Sequence, residues 1–211
     1  SDRPSWSNEQ VNSLLIIQLD HLGDAILTTG MLSALRRRWP HARIDVLAAP
    51  WNRAVFAAQR EVDQVMVCTS NRFLRRRSWF WPLNLLAWAW RLRQRRYDVA
   101  IDVRGELPHA LLMFLAGVRR RVGCSSGGGD FLLTDDALHD PQAHEIDKRR
   151  GLLAALGIRL PEGSTLQPQF PVSLEARQRV EQRLIGWRTA DVPLVVLHVG
   201  AGTAAKRWPM S

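Results

Sequence analysis

Cysteine is scarce in this 211-residue chain: Cys68 and Cys124 stand far apart, with no CxxC and no histidine at ligand spacing beside them. That excludes a disulfide framework and a cysteine-based zinc site, and both thiols read as reduced and structural. No apolar run approaches the roughly 20 residues that a membrane span requires, and the opening residues SDRPSWSNEQ lack the apolar stretch of a signal peptide. The expectation is a cytoplasmic protein, soluble or peripheral on a membrane. The chain has no HExxH, no DxD pair and no GxSxG, and His41, His109, His139, His144 and His198 are scattered, so no metal site is expected. The first residue is not Met, and the last residues, KRWPMS, read as the opening of a further element. A fragment of a longer protein is the natural reading.

Lysine is just as scarce, at Lys148 and Lys206 only, so the formal charge of +9 comes almost wholly from arginine. Such an excess suits an anionic partner: nucleic acid, an acidic membrane surface or a phosphorylated substrate. Biased codon composition produces the same excess with no partner at all. With 46% hydrophobic residues the chain can bury one good core and begin a second, and disorder is not the default.

Residues 14–19, LLIIQL, form a continuous apolar run that predicts a strand buried on both faces, as in a parallel sheet. Gly23 is expected to let the backbone turn tightly, and a helix is predicted over residues 24–39, with Arg36, Arg37 and Arg38 at its carboxyl end and Pro40 as its stop. Strands at residues 43–48 and 64–68 flank a short helix at 51–60. Further strands are predicted at 98–103 and 121–124, with helices at 108–117 and 144–156, the last ended by Gly157. Alternation of this kind predicts an α/β fold with a Rossmann-like, doubly wound parallel sheet.

Three segments interrupt that rhythm. Residues 73–97, FLRRRSWFWPLNLLAWAWRLRQRRY, bracket tryptophans and leucines with arginine clusters. They fit either a crossover helix packed on the sheet or a helix lying at a membrane headgroup boundary. Residues 125–130, SSGGGD, form a loop that reads equally as a mobile acceptor loop or a plain surface loop. Pro, Gly and Ser mark residues 158–171 as a linker, giving an N-terminal domain over 1–160, a linker and connecting helix over 161–191, and the start of a second Rossmann-like domain over 192–211.

Two constellations could carry chemistry. Asp20, His21, Gly23 and Asp24 crowd one strand end, where open α/β sheets gather ligands. Asp24 reads either as a site carboxylate or as a helix N-cap, and no capping box reinforces the cap, since residue 27 is Leu. His21 reads more readily as a hydrogen-bonding partner than as a titrating catalyst. Arg104, Gly105 and Glu106 place polar groups at a second strand end. Near the other end of the sequence the strand 193–199, PLVVLHV, leads into GAGTAAK, where Gly200 and Gly202 can bring backbone N–H groups to an anion and Lys206 supplies charge. It is neither a Walker loop nor a complete GxGxxG fingerprint, and a simple strand-to-helix turn explains it as well. The tryptophan and arginine segment follows a helical period rather than a strand platform, which ranks nucleic acid last among partners.

Taken together, LLIIQLDHLGDAILTTGMLSALRRRWP, YDVAIDVRG, RRVG and HVGAGTAAKRWP resemble glycosyltransferase family 9, the heptosyltransferases of lipopolysaccharide core synthesis, in order and in spacing. The resemblance covers nearly the whole chain. It implies a GT-B fold, two Rossmann-like domains facing across a cleft, with acceptor bound mainly by the first and nucleotide sugar mainly by the second. Asp24 matches the general base, Gly200, Gly202, Thr203 and Lys206 match the loop that holds the donor diphosphate, and His21, Gly23 and Arg104 fall at acceptor or supporting positions. The resemblance implies an inverting, metal-independent transfer from ADP-heptose or a related nucleotide sugar to a glycolipid acceptor at the inner face of the plasma membrane. No cofactor is implied, and the isolated fragment is expected to be inactive. The alternative is a non-catalytic module of the same fold that binds an anionic glycolipid or a membrane surface.

Overall fold

The computed structural model describes residues 10–69, 81–124, 127–137, 140, 142–161, 164–187, 194–198 and 200. The chain divides into two compact units, residues 1–171 and 172–211.

The first unit is built on six strands: β1 (Ser13–Gln18), β2 (Arg43–Ala48), β3 (Gln64–Val67), β4 (Val99–Asp102), β5 (Arg120–Cys124) and β6 (Asp135–Ala137). They form one parallel sheet in the order β3-β2-β1-β4-β5-β6. β1 is central because every one of its residues is buried, as its unbroken apolar sequence requires. Its side chains alternate between two layers: Leu14 and Ile16 face one core cluster, Leu15 and Ile17 the other.

Helix α1 (Leu22–Arg38) and helix α2 (Arg53–Ala57) cover the sheet with α5 (Glu145–Ala155), while α3 (Trp81–Gln94) packs with α4 (Leu107–Leu115) in the second cluster. The last turn of α1 carries Arg36, whose guanidinium donates to the carbonyls of Ala42 at 2.6 Å and Glu61 at 2.7 Å and pairs with Asp63 at 2.8 Å. An arginine at a helix carboxyl end thus anchors the chain leading into β2 and β3. No helix among the described residues is long and apolar enough to cross a membrane.

Several local expectations change. Helix α1 starts at Leu22, two residues before the predicted start, with His21 in extended conformation as its N-cap. Gly23 is therefore helical and makes no tight turn; a Cβ there would meet nothing within 4 Å. The glycines of the 125–130 loop serve close approach. Gly127 bridges to Glu106, a Cβ on it would collide with the Gly105 carbonyl, and one on Gly129 would lie 2.9 Å from the Ala110 methyl. Ser125 and Ser126 lie outside the described residues. The proline-rich stretch before residue 171 is strapped to α1: the Gln169 N–H donates to Thr29 Oγ1 at 2.8 Å, and Leu166 crosses so close to Gly30 that a Cβ there would sit 3.3 Å from its backbone. Strand β6 escaped sequence reading because only three residues, DDA, form it and two of them are acidic.

The second unit contains α6 (Leu174–Leu184), capped by Ser173 through a 3.1 Å bond from the Ala176 N–H. The strand expected over 193–199 pairs with no described strand, and Leu194, Val195, Val196 and Leu197 are exposed.

Candidate active site

The sheet order reverses at β1, which has β2 on one side and β4 on the other. Crossovers leave in opposite directions from such a switch point, and a crevice opens outside the strands' carboxyl ends. There a pocket of about 260 Å³ is lined by Asp20, His21 and Asp24 after β1, by Val103 and Arg104 after β4, by Cys124 ending β5, and by Glu145, Lys148 and Arg149 of α5.

Asp24 occupies the first turn of α1 as its third residue, which rules out the N-cap role. Its carboxylate forms no hydrogen bond or ion pair among the described residues, although its own carbonyl accepts from Thr28 Oγ1 at 2.8 Å. Asp20 behaves differently. Its carboxylate, largely buried, pairs with the Arg104 guanidinium, and its carbonyl accepts from Trp51 Nε1 at 2.7 Å and Asn52 Nδ2 at 2.9 Å. Arg104 also pairs with Glu106 at 2.6 Å, so two carboxylates hold the guanidinium at the pocket's edge.

Beneath Arg104 lies a buried network that sequence reading missed. Asp102, 1% exposed, ends β4 and accepts from the N–H groups of Arg104 at 3.1 Å and of Gly105 and Glu106 at 2.9 Å each. His109 Nδ1, 2.7 Å away, donates to the same carboxylate, while its Nε2 lies 4.0 Å from Glu106 Oε2. Burial pushes the His109 imidazole down, but the charge and hydrogen bond of Asp102 outweigh it and hold the ring above its ordinary value. Gly105 sits at φ +80, a conformation that lets the chain fold around the carboxylate. In the sequence, His109 is one of several scattered histidines; its partner stands seven residues earlier and becomes a neighbour only through the β4–α4 turn.

On the far wall, the Glu145 carboxylate accepts from Lys148 Nζ at 2.7 Å and Arg149 Nη1 at 2.5 Å. Burial pushes Glu145 up, yet these two cations prevail and lower it. Arg149 is 3% exposed, and its Nε has no hydrogen-bond partner. Of these three, Lys148 carried a usable sequence signal, as one of only two lysines. Burial, then the charges of Asp102 and Asp136, push the Cys124 thiol up to about 11, which keeps it protonated near neutral pH.

The structure thus brings Asp24, His21 and Arg104 to one pocket. Gly23 lies in the turn of α1 between His21 and Asp24. Gly200 belongs to the second unit, where a Cβ on it would touch the His198 imidazole at 3.4 Å, and Gly202, Thr203 and Lys206 lie outside the described residues. No group of three or more His, Cys, Asp or Glu side chains suited to a metal ion occurs among the described residues. A carboxylate free of partners beside Arg104, Lys148 and Arg149 can accept a proton from a hydroxyl whose carrier also bears negative charge.

Residues 85–211 match the profile of glycosyltransferase family 9 (heptosyltransferase). The chain belongs to that family. It is 26% identical over 214 residues to lipopolysaccharide heptosyltransferase 2 of Escherichia coli K12, an alignment covering 93% of this chain and 56% of that relative. The family 9 glycosyl transferase of Veillonella parvula shares its fold at a TM-score of 0.77, with 21% identity over 94% of this chain and 56% of that one. The E. coli ADP-heptose lipopolysaccharide heptosyltransferase II superimposes at a TM-score of 0.67, with 26% identity over 93% of this chain and 57% of that one. The chain therefore spans little more than half the length of the relatives it matches. The α/β, Rossmann-like sheet matches that of GT-B heptosyltransferase structures such as the E. coli enzyme, as the resemblance implied.

Proposed function

We propose that this chain supplies the acceptor side of a GT-B transferase that moves a sugar, heptose, from a nucleotide sugar of the ADP-heptose kind to a lipopolysaccharide core or similar glycolipid. The observation that carries the reading is Asp24, partner-free among the described residues, in the switch-point pocket with Arg104, Lys148 and Arg149. The E. coli relative named for ADP-heptose supports the donor class. In this reading Asp24 is the general base. It draws the proton from the acceptor hydroxyl as that oxygen attacks the anomeric carbon in line with the departing diphosphate, which inverts the configuration. Arg104, Lys148 and Arg149 orient the anionic acceptor, and the open space at Gly23 lets its hydroxyl approach α1. Gly200, Gly202, Thr203 and Lys206 hold the diphosphate and take up the charge of the leaving group without a divalent metal.

The test uses the chain extended to the length of its relatives, with ADP release followed from ADP-heptose in the presence of a lipid A precursor. Asp24→Asn is expected to lower kcat by about 10²–10⁴ while leaving acceptor binding in place, the range for losing a general base. Undiminished turnover removes Asp24 from the mechanism. Acceptor binding with no ADP release in the unmutated protein leaves a glycolipid-binding module instead.

A further inference from the structure

Helix α3 is apolar on two faces. Leu85, Trp88, Ala89 and Leu92 are buried against the sheet, which accounts for one of them. Leu83, Leu86 and Trp90 recur at helical spacing on the other, and they are 65%, 53% and 64% exposed. A surface helix of a soluble domain ordinarily turns a polar face outward. Here that face carries large apolar side chains instead, and its carboxyl end carries the cations Arg91 and Arg93 beside Gln94.

The helix and the residues that follow it carry charge of one sign: from Trp81 to Tyr97 the sequence has no acidic residue and four arginines, at 91, 93, 95 and 96. Arg95 is engaged with Asp45 at 3.3 Å and with Gln64. Arg91 lies over the Trp88 ring at 4.6 Å, its charge still exposed. Arg93 and Arg96, both exposed, line an open groove of about 670 Å³ that begins at Trp90 and reaches Gly117. Asp98 also borders the groove, but its carboxylate is taken by the N–H groups of Asn12 and Ser13 at 2.9 Å each.

We infer that the outward face of α3 is a seat for an anionic lipid bilayer, with Leu83, Leu86 and Trp90 entering the headgroup boundary and Arg91, Arg93 and Arg96 meeting lipid phosphates. Tryptophan and leucine beside arginine is the composition of helices that lie in that boundary, and the helix is too short and too charged to cross it. A protein partner with an apolar face would leave the one-signed charge unexplained; a polyanion without a hydrophobic interior would leave the leucines unexplained. A bilayer explains both.

The experiment is co-sedimentation of the chain with vesicles of phosphatidylethanolamine and phosphatidylglycerol, and with vesicles of phosphatidylcholine. Binding is expected to the first and not the second, and to weaken at high salt. Leu86→Gln with Trp90→Gln is expected to lower the affinity by about tenfold or more, and Arg91→Gln with Arg93→Gln by roughly fivefold for each arginine. All four side chains are exposed, so unchanged melting curves verify that the fold survives. Equal sedimentation of the Leu86 and Trp90 variant overturns the inference. So does the absence of vesicle binding together with a concentration-dependent dimer that the same variant abolishes, which gives the face to a second copy of the chain.

Discussion

Replacing Asp102 by asparagine tests whether a buried charge builds the wall of the pocket. The two residues have the same shape, so the change isolates acceptor capacity. Oδ1 of Asp102 receives the Arg104 N–H and His109 Nδ1, and Oδ2 receives the Gly105 and Glu106 N–H groups. An asparagine can offer its oxygen to only one of these pairs. If the oxygen faces Gly105 and Glu106, the amide confronts the Arg104 N–H; if it is turned the other way, two backbone donors are orphaned. Each orphaned donor costs about 1–3 kcal/mol and the surviving bonds lose their charge assistance, so the total loss is about 3 kcal/mol. Urea unfolding followed by far-UV circular dichroism gives this number directly, provided the slope with denaturant is unchanged. Asp147→Asn, at an exposed and weakly paired carboxylate, is the control and should shift stability by less than about 0.5 kcal/mol. A loss below about 1 kcal/mol for Asp102→Asn would refute the idea that this carboxylate holds the turn. Faster amide exchange at residues 104–106 should accompany the larger loss.

Stability should also depend on pH in two opposite ways. Glu145 is lowered on folding, so its contribution is present above its ordinary value of 4.5 and is lost as pH falls through the folded value; an acid titration of Glu145→Gln should be flatter there. His109 is raised on folding, so its contribution is present below its ordinary value of 6.5 and is lost as pH rises through the folded value. The stability gap between the protein and His109→Gln should narrow as pH rises through that window, and a gap independent of pH would refute the upward shift. Arg120 meets Asp135 through two bonds, Nε to Oδ2 at 2.9 Å and Nη2 to Oδ1 at 2.5 Å, with both side chains buried. Arg120→Met strands that carboxylate and should cost about 3–5 kcal/mol in the same unfolding assay. Gly127→Ala should destabilise the chain and perturb the Arg104 turn, since no Cβ fits against the Gly105 carbonyl; a melting temperature equal to the parent's would contradict that packing.

Much of the framework was legible before any coordinates. Residues 14–19 declared a central buried strand because no polar residue but Gln18 interrupts them, and the alternation of apolar runs with arginine-ended helices dictated a parallel sheet. Asp24 and Arg104 were legible as site candidates because strand ends in such sheets are where polar groups gather. Short elements were not: β6 is three residues long, and the start of α1 hid behind a histidine cap that makes no side-chain bond.

The sequence by itself determined five of the six strands of the sheet, which edge carries the polar turns, and the family to which the whole pattern belongs. Only the tertiary structure decided what surrounds Asp24. Asp102 and His109 are joined by a turn whose course depends on Gly105, and Glu145, Lys148 and Arg149 reach the pocket because α5 packs beside α1, more than a hundred residues earlier in the chain. Strand identity follows from local periodicity, which a sequence displays directly. Which charges meet across a pocket follows from long-range packing, and that is written in the sequence only through the fold.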